Sequence, residues 1–92
     1  MSQYRNSDLL TGIAVVAKQL REAHNPSPSQ EEVMTEIKIK TNISIHIGRI
    51  ETAVTNISIS SLSLLCDYYN ISLSEFMKKV ELEIQRLKRK KK

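Results

Sequence analysis

Cysteines, which can cross-link a small protein, and aromatic residues, which fill its core with large side chains, are scarce in this sequence. It has one cysteine, no tryptophan, one phenylalanine and three tyrosines among 92 residues. A single thiol excludes an internal disulfide and a zinc site built from cysteines. Cys66 lies in an apolar run, so we expect it to be buried as a small hydrophobic residue. The chain has the length of one domain, whose core must consist mainly of isoleucine, leucine and valine.

Long apolar segments are absent as well. No run approaches the roughly 20 apolar residues that a membrane-spanning helix needs, and residues 1–8 are polar, unlike a signal peptide. The sequence also has no glycine-rich phosphate loop and no cluster of carboxylates beyond those expected to cap helices. We therefore expect a cytoplasmic protein that is not an enzyme, uses no cofactor, binds no small-molecule substrate and does not enter a membrane.

Positive charge is concentrated near the C-terminus. Residues 78–92 contain eight basic and two acidic residues, so their net charge is +6, whereas the whole chain has +4 and residues 1–77 have −2. The basic run at residues 86–92 can bind phosphate groups without sequence preference, but a solvated charge run is an equally good interpretation. Charge alone therefore does not identify a nucleic acid as the partner.

Apolar periodicity and capping residues predict about five helices. The first is expected from Asp8, as its N-cap, to about residue 24, where two prolines end it. Ser29-Gln30-Glu31-Glu32 has the form of a capping box and opens the second helix. The residues expected in the core are Val33, Ile37, Ile47, Ile50, Leu62, Leu65 and Phe76.

Two further helices are predicted in the C-terminal third of the chain. Ser60-Ser61 precede a short apolar segment that suits a helix ending at Asn70. Ser72-Leu73-Ser74-Glu75 is a second capping box. It opens a helix that we expect to run on to about Leu87 before the lysines.

Residues 37–47 support two interpretations. Isoleucine at 37, 39, 43, 45 and 47 is separated by polar residues, which is a strand signal, and a hairpin around Thr41-Asn42 would follow. A lone hairpin is marginally stable in water. In the other interpretation Ile43, Ile47 and Ile50 face one side of a helix. We favour the helix because the surrounding pattern is helical.

Several short segments occur in an order that resembles a known family. Ser29-Gln30-Glu31-Glu32-Val33 is followed by Gly48-Arg49-Ile50-Glu51, and the segments at residues 56–62 and 64–76 come after it. Together with Gln19-Leu20-Arg21, these segments resemble the Cro/C1-type, or XRE-like, helix-turn-helix family. The resemblance covers about two thirds of the chain.

The resemblance implies a fold and a function. The implied fold is an all-α, lambda-repressor-like bundle of about five helices, with the helix-turn-helix domain at residues 1–77 and a helical extension with a basic tail at residues 78–92. The implied function is that of a transcriptional regulator which binds double-stranded DNA sequence-specifically, as a homodimer on a palindromic site.

A DNA-binding site is implied by the same resemblance. In such a domain helix 2 lies across the phosphate backbone and the next helix enters the major groove. Gln30 would donate to a phosphate from the start of helix 2, and Glu51 would pair with Arg21. The other expected contacts are base edges read by Asn42, Ser44, Ile45 and His46, positive charge from Lys38, Lys40 and Arg49, and phosphate contacts from the loop residues Thr55 and Asn56.

Two departures from the family leave a second function open. Ala53 stands where the family has a glycine in the left-handed conformation, so we expect that helix end to be extended or reshaped. The span from Gln30 to Glu51 is also longer than in the family, with the surplus in residues 37–45. The alternative function is a helical protein–protein adaptor, or an antitoxin, that keeps the scaffold with weakened DNA readout.

Overall fold

Five helices and no strand make up the described part of the chain. The computed structural model of the protein describes residues 6–90, and its helices are α1 (Ser7–Glu22), α2 (Gln30–Thr41), α3 (Ile47–Glu51), α4 (Ile59–Tyr68) and α5 (Leu73–Lys90). The prediction of an all-α protein with about five helices is therefore confirmed. Residues 1–5 and the end of the basic run, Lys91 and Lys92, lie outside the described residues.

Both predicted capping boxes lie at helix starts. At α2 the Ser29 hydroxyl accepts from the Glu32 amide, and the Glu32 carboxylate accepts from the Ser29 amide, each over 3.0 Å. At α5 the Ser72 hydroxyl accepts from the Glu75 amide over 3.1 Å. These bonds satisfy first-turn amides that have no partner within the helix.

The starts of α1 and α4 lie at least two residues earlier than predicted. Asn6, rather than Asp8, caps α1 by accepting from the Leu9 amide, and Ser58, rather than Ser60-Ser61, caps α4 by accepting from the Ser61 amide. An N-cap needs an extended backbone and a side-chain oxygen that reaches the amide two or three residues on. Each stretch contains several residues able to do this, so the local sequence did not determine which one is used.

The isoleucine-rich segment forms neither a hairpin nor one helix. α2 continues to Thr41 and ends where Asn42 adopts a left-handed conformation with φ 61°. The Thr41 hydroxyl donates to the Ile37 carbonyl and accepts from the Ile43 amide, which turns the chain out of the helix. Residues 43–46 have no regular secondary structure, and α3 is only five residues long. The hairpin is therefore wrong, and the helical interpretation is wrong for residues 43–46.

The core is aliphatic and joins all five helices. α1 packs against α3 and α5, α2 against α3, and α4 against α5. The side chains expected in the core are confirmed there: Val33, Ile37, Ile47, Ile50, Leu62, Leu65 and Phe76 are all buried. Cys66 is also buried as expected, and burial raises the pKa of its thiol.

α5 is a single helix that extends through the predicted boundary at residue 77. Val80 is fully buried, and it meets α1 at Gly12, where an added Cβ would lie 3.1 Å from Val80 Cγ1 and 3.3 Å from Ile84 Cγ1. The absence of a side chain at Gly12 thus allows the two helices to approach closely. The hydrophobic core therefore continues beyond residues 77 and 78, the boundary that the sequence predicted.

The end of α3 is neither extended nor reshaped by alanine. Ala53 adopts the left-handed conformation itself, with φ 60°. Its amide donates to the Ile50 carbonyl, and the Val54 amide donates to the Arg49 carbonyl. This is the Schellman pattern, in which glycine is the usual residue at the left-handed position. The expectation for Ala53 was wrong because the helix-ending hydrogen bonds hold the backbone in the left-handed conformation despite the Cβ of alanine.

We expect Ala53→Gly to stabilise the protein by about 0.5–1 kcal/mol. The left-handed conformation costs an L-residue about 1–2 kcal/mol, which exceeds the entropy that glycine loses on folding. Thermal unfolding followed by circular dichroism measures the change. The control is Ala23→Gly at the C-cap of α1, where φ is −76°, and there we expect a loss of similar size. Equal destabilisation by both variants would contradict a left-handed Ala53.

Candidate nucleic-acid interface

An open depression of about 270 Å³ lies beside α3 and the first turn of α4. Its lining residues are Ser44, Ile45, His46, Arg49, Ile50, Thr55, Asn56, Ile57, Ser58 and Ser61. The depression therefore brings together six residues that the sequence predicted for DNA contact, namely Ser44, Ile45, His46, Arg49, Thr55 and Asn56. Among the described residues, the lining includes one arginine and one histidine but no carboxylate.

Packing of α3 determines which of its side chains face the depression. Ile47 and Ile50 are buried and define the side of α3 that faces the core. Arg49 lies away from that side of the helix and is therefore exposed. His46 is exposed at the N-cap position and makes no side-chain capping bond. The two polar side chains are thus directed to solvent by the burial of their apolar neighbours.

The first turn of α4 also lines the depression. The Ser58 hydroxyl accepts from the Ser61 amide over 3.1 Å and donates to the Ser61 hydroxyl over 3.0 Å. The start of a helix carries a partial positive charge from its aligned peptide dipoles. Together with Arg49, this helix start makes the depression suited to an anionic group.

Ile45 does not belong to the exposed part of this surface. Its side chain is 4% exposed and packs in the core, so it is not able to touch a thymine methyl group. The prediction for Ile45 was wrong because it followed the helical interpretation, in which Ile43 faces the core, whereas residues 43–46 are not helical and Ile45 packs inward instead. Ile43, which lies two residues before Ile45, is exposed instead.

Lys40 lies on another part of the molecule. Its Nζ is 5.9 Å from the centre of the Tyr68 ring, next to a separate cavity of about 190 Å³ between α2 and α4. The Tyr68 hydroxyl donates to Glu36, and burial together with this carboxylate raises the pKa of Tyr68 to about 12. Lys40 thus takes part in a contact between α2 and α4 and is not brought to the depression.

Lys38 and Asn42 are exposed at the end of α2. Lys38 borders a cavity of about 210 Å³ that it shares with Ser44, and its Nζ lies 3.5 Å from the Asn42 carbonyl oxygen. Ser44 also lines the larger depression. The positive charge of Lys38 therefore lies beside the candidate interface, whereas Asn42 acts through its backbone as the C-cap of α2.

A buried carboxylate joins three parts of the chain behind the depression. Glu51, whose side chain is 2% exposed, accepts from Arg21 Nε over 2.8 Å and from Arg21 Nη2 over 2.9 Å. The pair of Arg21 and Glu51 is therefore confirmed, and the hydrogen bond to Glu51 raises the pKa of Arg21. Arg21 also donates to the Pro28 carbonyl over 3.1 Å. This network attaches α1 and the segment before α2 to α3.

Gln30 is part of the same network. Its Nε2 donates to Glu51 Oε1 over 2.9 Å, so one of its two amide hydrogens is used inside the protein. The sequence placed Gln30 at the start of α2 but carried no signal for this partner, which is 21 residues away. Gln30 therefore faces α3, a geometry that differs from that of a free phosphate donor.

Tyr69 is a residue for which the sequence predicted no role in this site. It is buried, and its ring centroid lies 5.7 Å from that of His24. Burial and the nearby carboxylate of Glu51 raise the pKa of Tyr69.

Neither a metal site nor a membrane span is evident in the described part of the chain. Within residues 6–90 no group of three or more His, Cys, Asp or Glu side chains could hold a metal ion. The same residues contain no helix with the length and apolar character to cross a membrane. Comparisons with protein-family models, with curated proteins and with solved structures found no match.

Proposed function

We propose that this chain is a cytoplasmic, sequence-specific transcriptional regulator of the Cro/C1 helix-turn-helix type, binding double-stranded DNA as a homodimer. The observation that carries the proposal is the convergence of Ser44, His46, Arg49, Thr55 and Asn56 on one open depression without a carboxylate. These side chains can donate to phosphates and base edges, which are the two kinds of contact that such a regulator makes.

The proposed contacts divide between phosphate and base. Arg49 is the strongest candidate, because a guanidinium can contact a phosphate or pair with two acceptors of a guanine. Thr55 and Asn56, beside the start of α4, suit the phosphate backbone. Because α3 has only five residues, Ser44 and His46 in the segment before it would share the reading of bases.

The test measures duplex affinity against salt, using a duplex selected from a library randomised over about 20 bp, which spans two half-sites. For the intact chain we expect the logarithm of the association constant to fall with the logarithm of salt concentration with a slope of about −3 or steeper, because each phosphate contact contributes about −0.9. A scrambled duplex of the same composition should bind at least about 1,000-fold more weakly.

The matched variant carries glutamine at every basic position of residues 86–92, which keeps the length of α5. We expect a shallower salt slope with an unchanged ratio between the selected and scrambled duplexes, because phosphate contacts carry no sequence information. Circular dichroism checks that helicity is retained. If this variant no longer bound any duplex, only the basic tail would have been in contact with DNA and the proposed function would fail.

A protein–protein adaptor is the second candidate. Ile39 is 77% exposed and Ile59 is 69% exposed, and a protein partner would cover such side chains. The adaptor function predicts that neither the intact chain nor the glutamine variant prefers any selected duplex over a scrambled one. The same binding experiment therefore separates the two functions.

A further inference from the structure

The carboxamide of Gln30 lies across the first turn of α3. Its Nε2 donates to Glu51 Oε1 over 2.9 Å. At the other end, its Oε1 lies against Gly48. A Cβ added to Gly48 would be 3.1 Å from Gln30 Oε1 and 3.9 Å from Gln30 Cδ. Gly48 and Glu51 are three residues apart and so share one side of α3. The side chain of Gln30 thus covers that side and depends on the glycine for its space.

α3 needs such a contact to hold its orientation. A helix of five residues is too short to be stable by itself, and its N-cap, His46, makes no side-chain capping bond. Ile47 and Ile50 attach it to the core through apolar contacts, which are not directional. The hydrogen bonds that Glu51 accepts from Arg21 and Gln30 are directional and come from two different helices.

We propose that Gln30 is a positioning residue, which sets the orientation of α3 and thereby of Arg49, and that Gly48 provides the space this requires. The inference rests on the proposed DNA-binding function, because Arg49 is the side chain whose placement matters for it. In this role Gln30 affects binding by orienting α3, whereas the sequence suggested that Gln30 contacts a phosphate directly.

A double-mutant cycle with Arg49→Ala tests the role in binding. With the native Arg49 we expect Gln30→Ala to weaken binding to the selected duplex about 3–10-fold, the usual effect of one hydrogen bond. With Arg49→Ala in place we expect the same change to weaken binding less than about 2-fold, because the side chain that Gln30 positions is gone. Losses that multiply would show that Gln30 acts on binding independently of Arg49, which would overturn the proposal.

A second cycle, measured by thermal unfolding without DNA, tests the geometry. In the Gln30→Ala background the space above Gly48 is open, so we expect Gly48→Ala to raise the Tm by about 2–6 °C through better helix propensity. With Gln30 present the new Cβ must displace the carboxamide, and we expect less than half of that rise. The control measures Gly48→Ala in the Arg49→Ala background, in which Gln30 is native. Because Arg49 is an exposed neighbour, we expect the same change in Tm as for Gly48→Ala in the native chain.

The two cycles separate failure of this inference from failure of the proposed function. Equal Tm changes for Gly48→Ala with and without Gln30 would overturn the positioning role even if the native chain binds its duplex. If the native chain selects no duplex at all, the proposed function fails and the role of Gln30 in binding fails with it. All affinities are measured well below the Tm of each variant, with helicity checked by circular dichroism.

Discussion

Glu51→Ala lowers the free energy of unfolding by about 3–5 kcal/mol, the expected result of removing one partner from a buried ion pair. The Glu51 side chain is 2% exposed and that of Arg21 is 13% exposed. Without the carboxylate the guanidinium of Arg21 keeps its charge in a largely dehydrated place, and the amide of Gln30 loses its acceptor. Urea denaturation followed by circular dichroism measures the change.

A surface ion pair in the same molecule provides the control. Arg86 Nε and Glu83 Oε2 lie 3.2 Å apart on α5, and the side chain of Arg86 is 56% exposed whereas that of Glu83 is 15% exposed. We expect Glu83→Ala to cost less than about 1 kcal/mol, because the charge that remains, the guanidinium of Arg86, is largely exposed and water solvates it. Similar losses for Glu51→Ala and Glu83→Ala would contradict the burial of the network around Glu51.

Arg49→Glu is expected to weaken binding to the selected duplex by about 100-fold or more. Loss of an arginine contact to DNA costs about 1–3 kcal/mol, and the reversed charge adds repulsion from the phosphates. Since Arg49 is exposed, the Tm should change little. Fluorescence anisotropy with a labelled selected duplex measures the affinity of the folded variant directly.

Lys18→Glu makes the same change of charge on the exposed side of α1, away from the lining of the depression. We expect this variant to weaken binding by less than about 5-fold, through the general field of the protein alone. Comparable losses for both charge reversals would mean that duplex binding follows net charge. The depression beside α3 would then have no special role.

About half of the candidate interface could be predicted from residue types along the chain. Ser44, His46, Arg49, Thr55 and Asn56 meet at one depression, because short loops on both sides of α3 bring them together. Their neighbours behave differently for reasons that involve distant residues. Ile45 is drawn into the core, and Lys40 is drawn to Tyr68, which is 28 positions further along the chain.

The sequence by itself determined those features that depend on side-chain chemistry and on interactions within one helical turn. The apolar positions of the core follow from helical spacing, since burial of an aliphatic side chain is favourable almost regardless of its partner. The capping box at Ser29 and Glu32 follows from bonds between residues three apart. The helical class and the aliphatic core were therefore predictable.

Only the tertiary structure decided which isoleucine is buried and what Gln30 binds. Alternating apolar residues between 37 and 47 are compatible with several local conformations of similar energy. The choice among them was made by burial of Ile37, Ile45 and Ile47 in the shared core. The partner of Gln30 was decided by the carboxylate of Glu51, which also binds Arg21 and lies 21 positions from Gln30 and 30 from Arg21. Directional contacts between residues so far apart leave no pattern in the local sequence, because each depends on how the whole chain is folded.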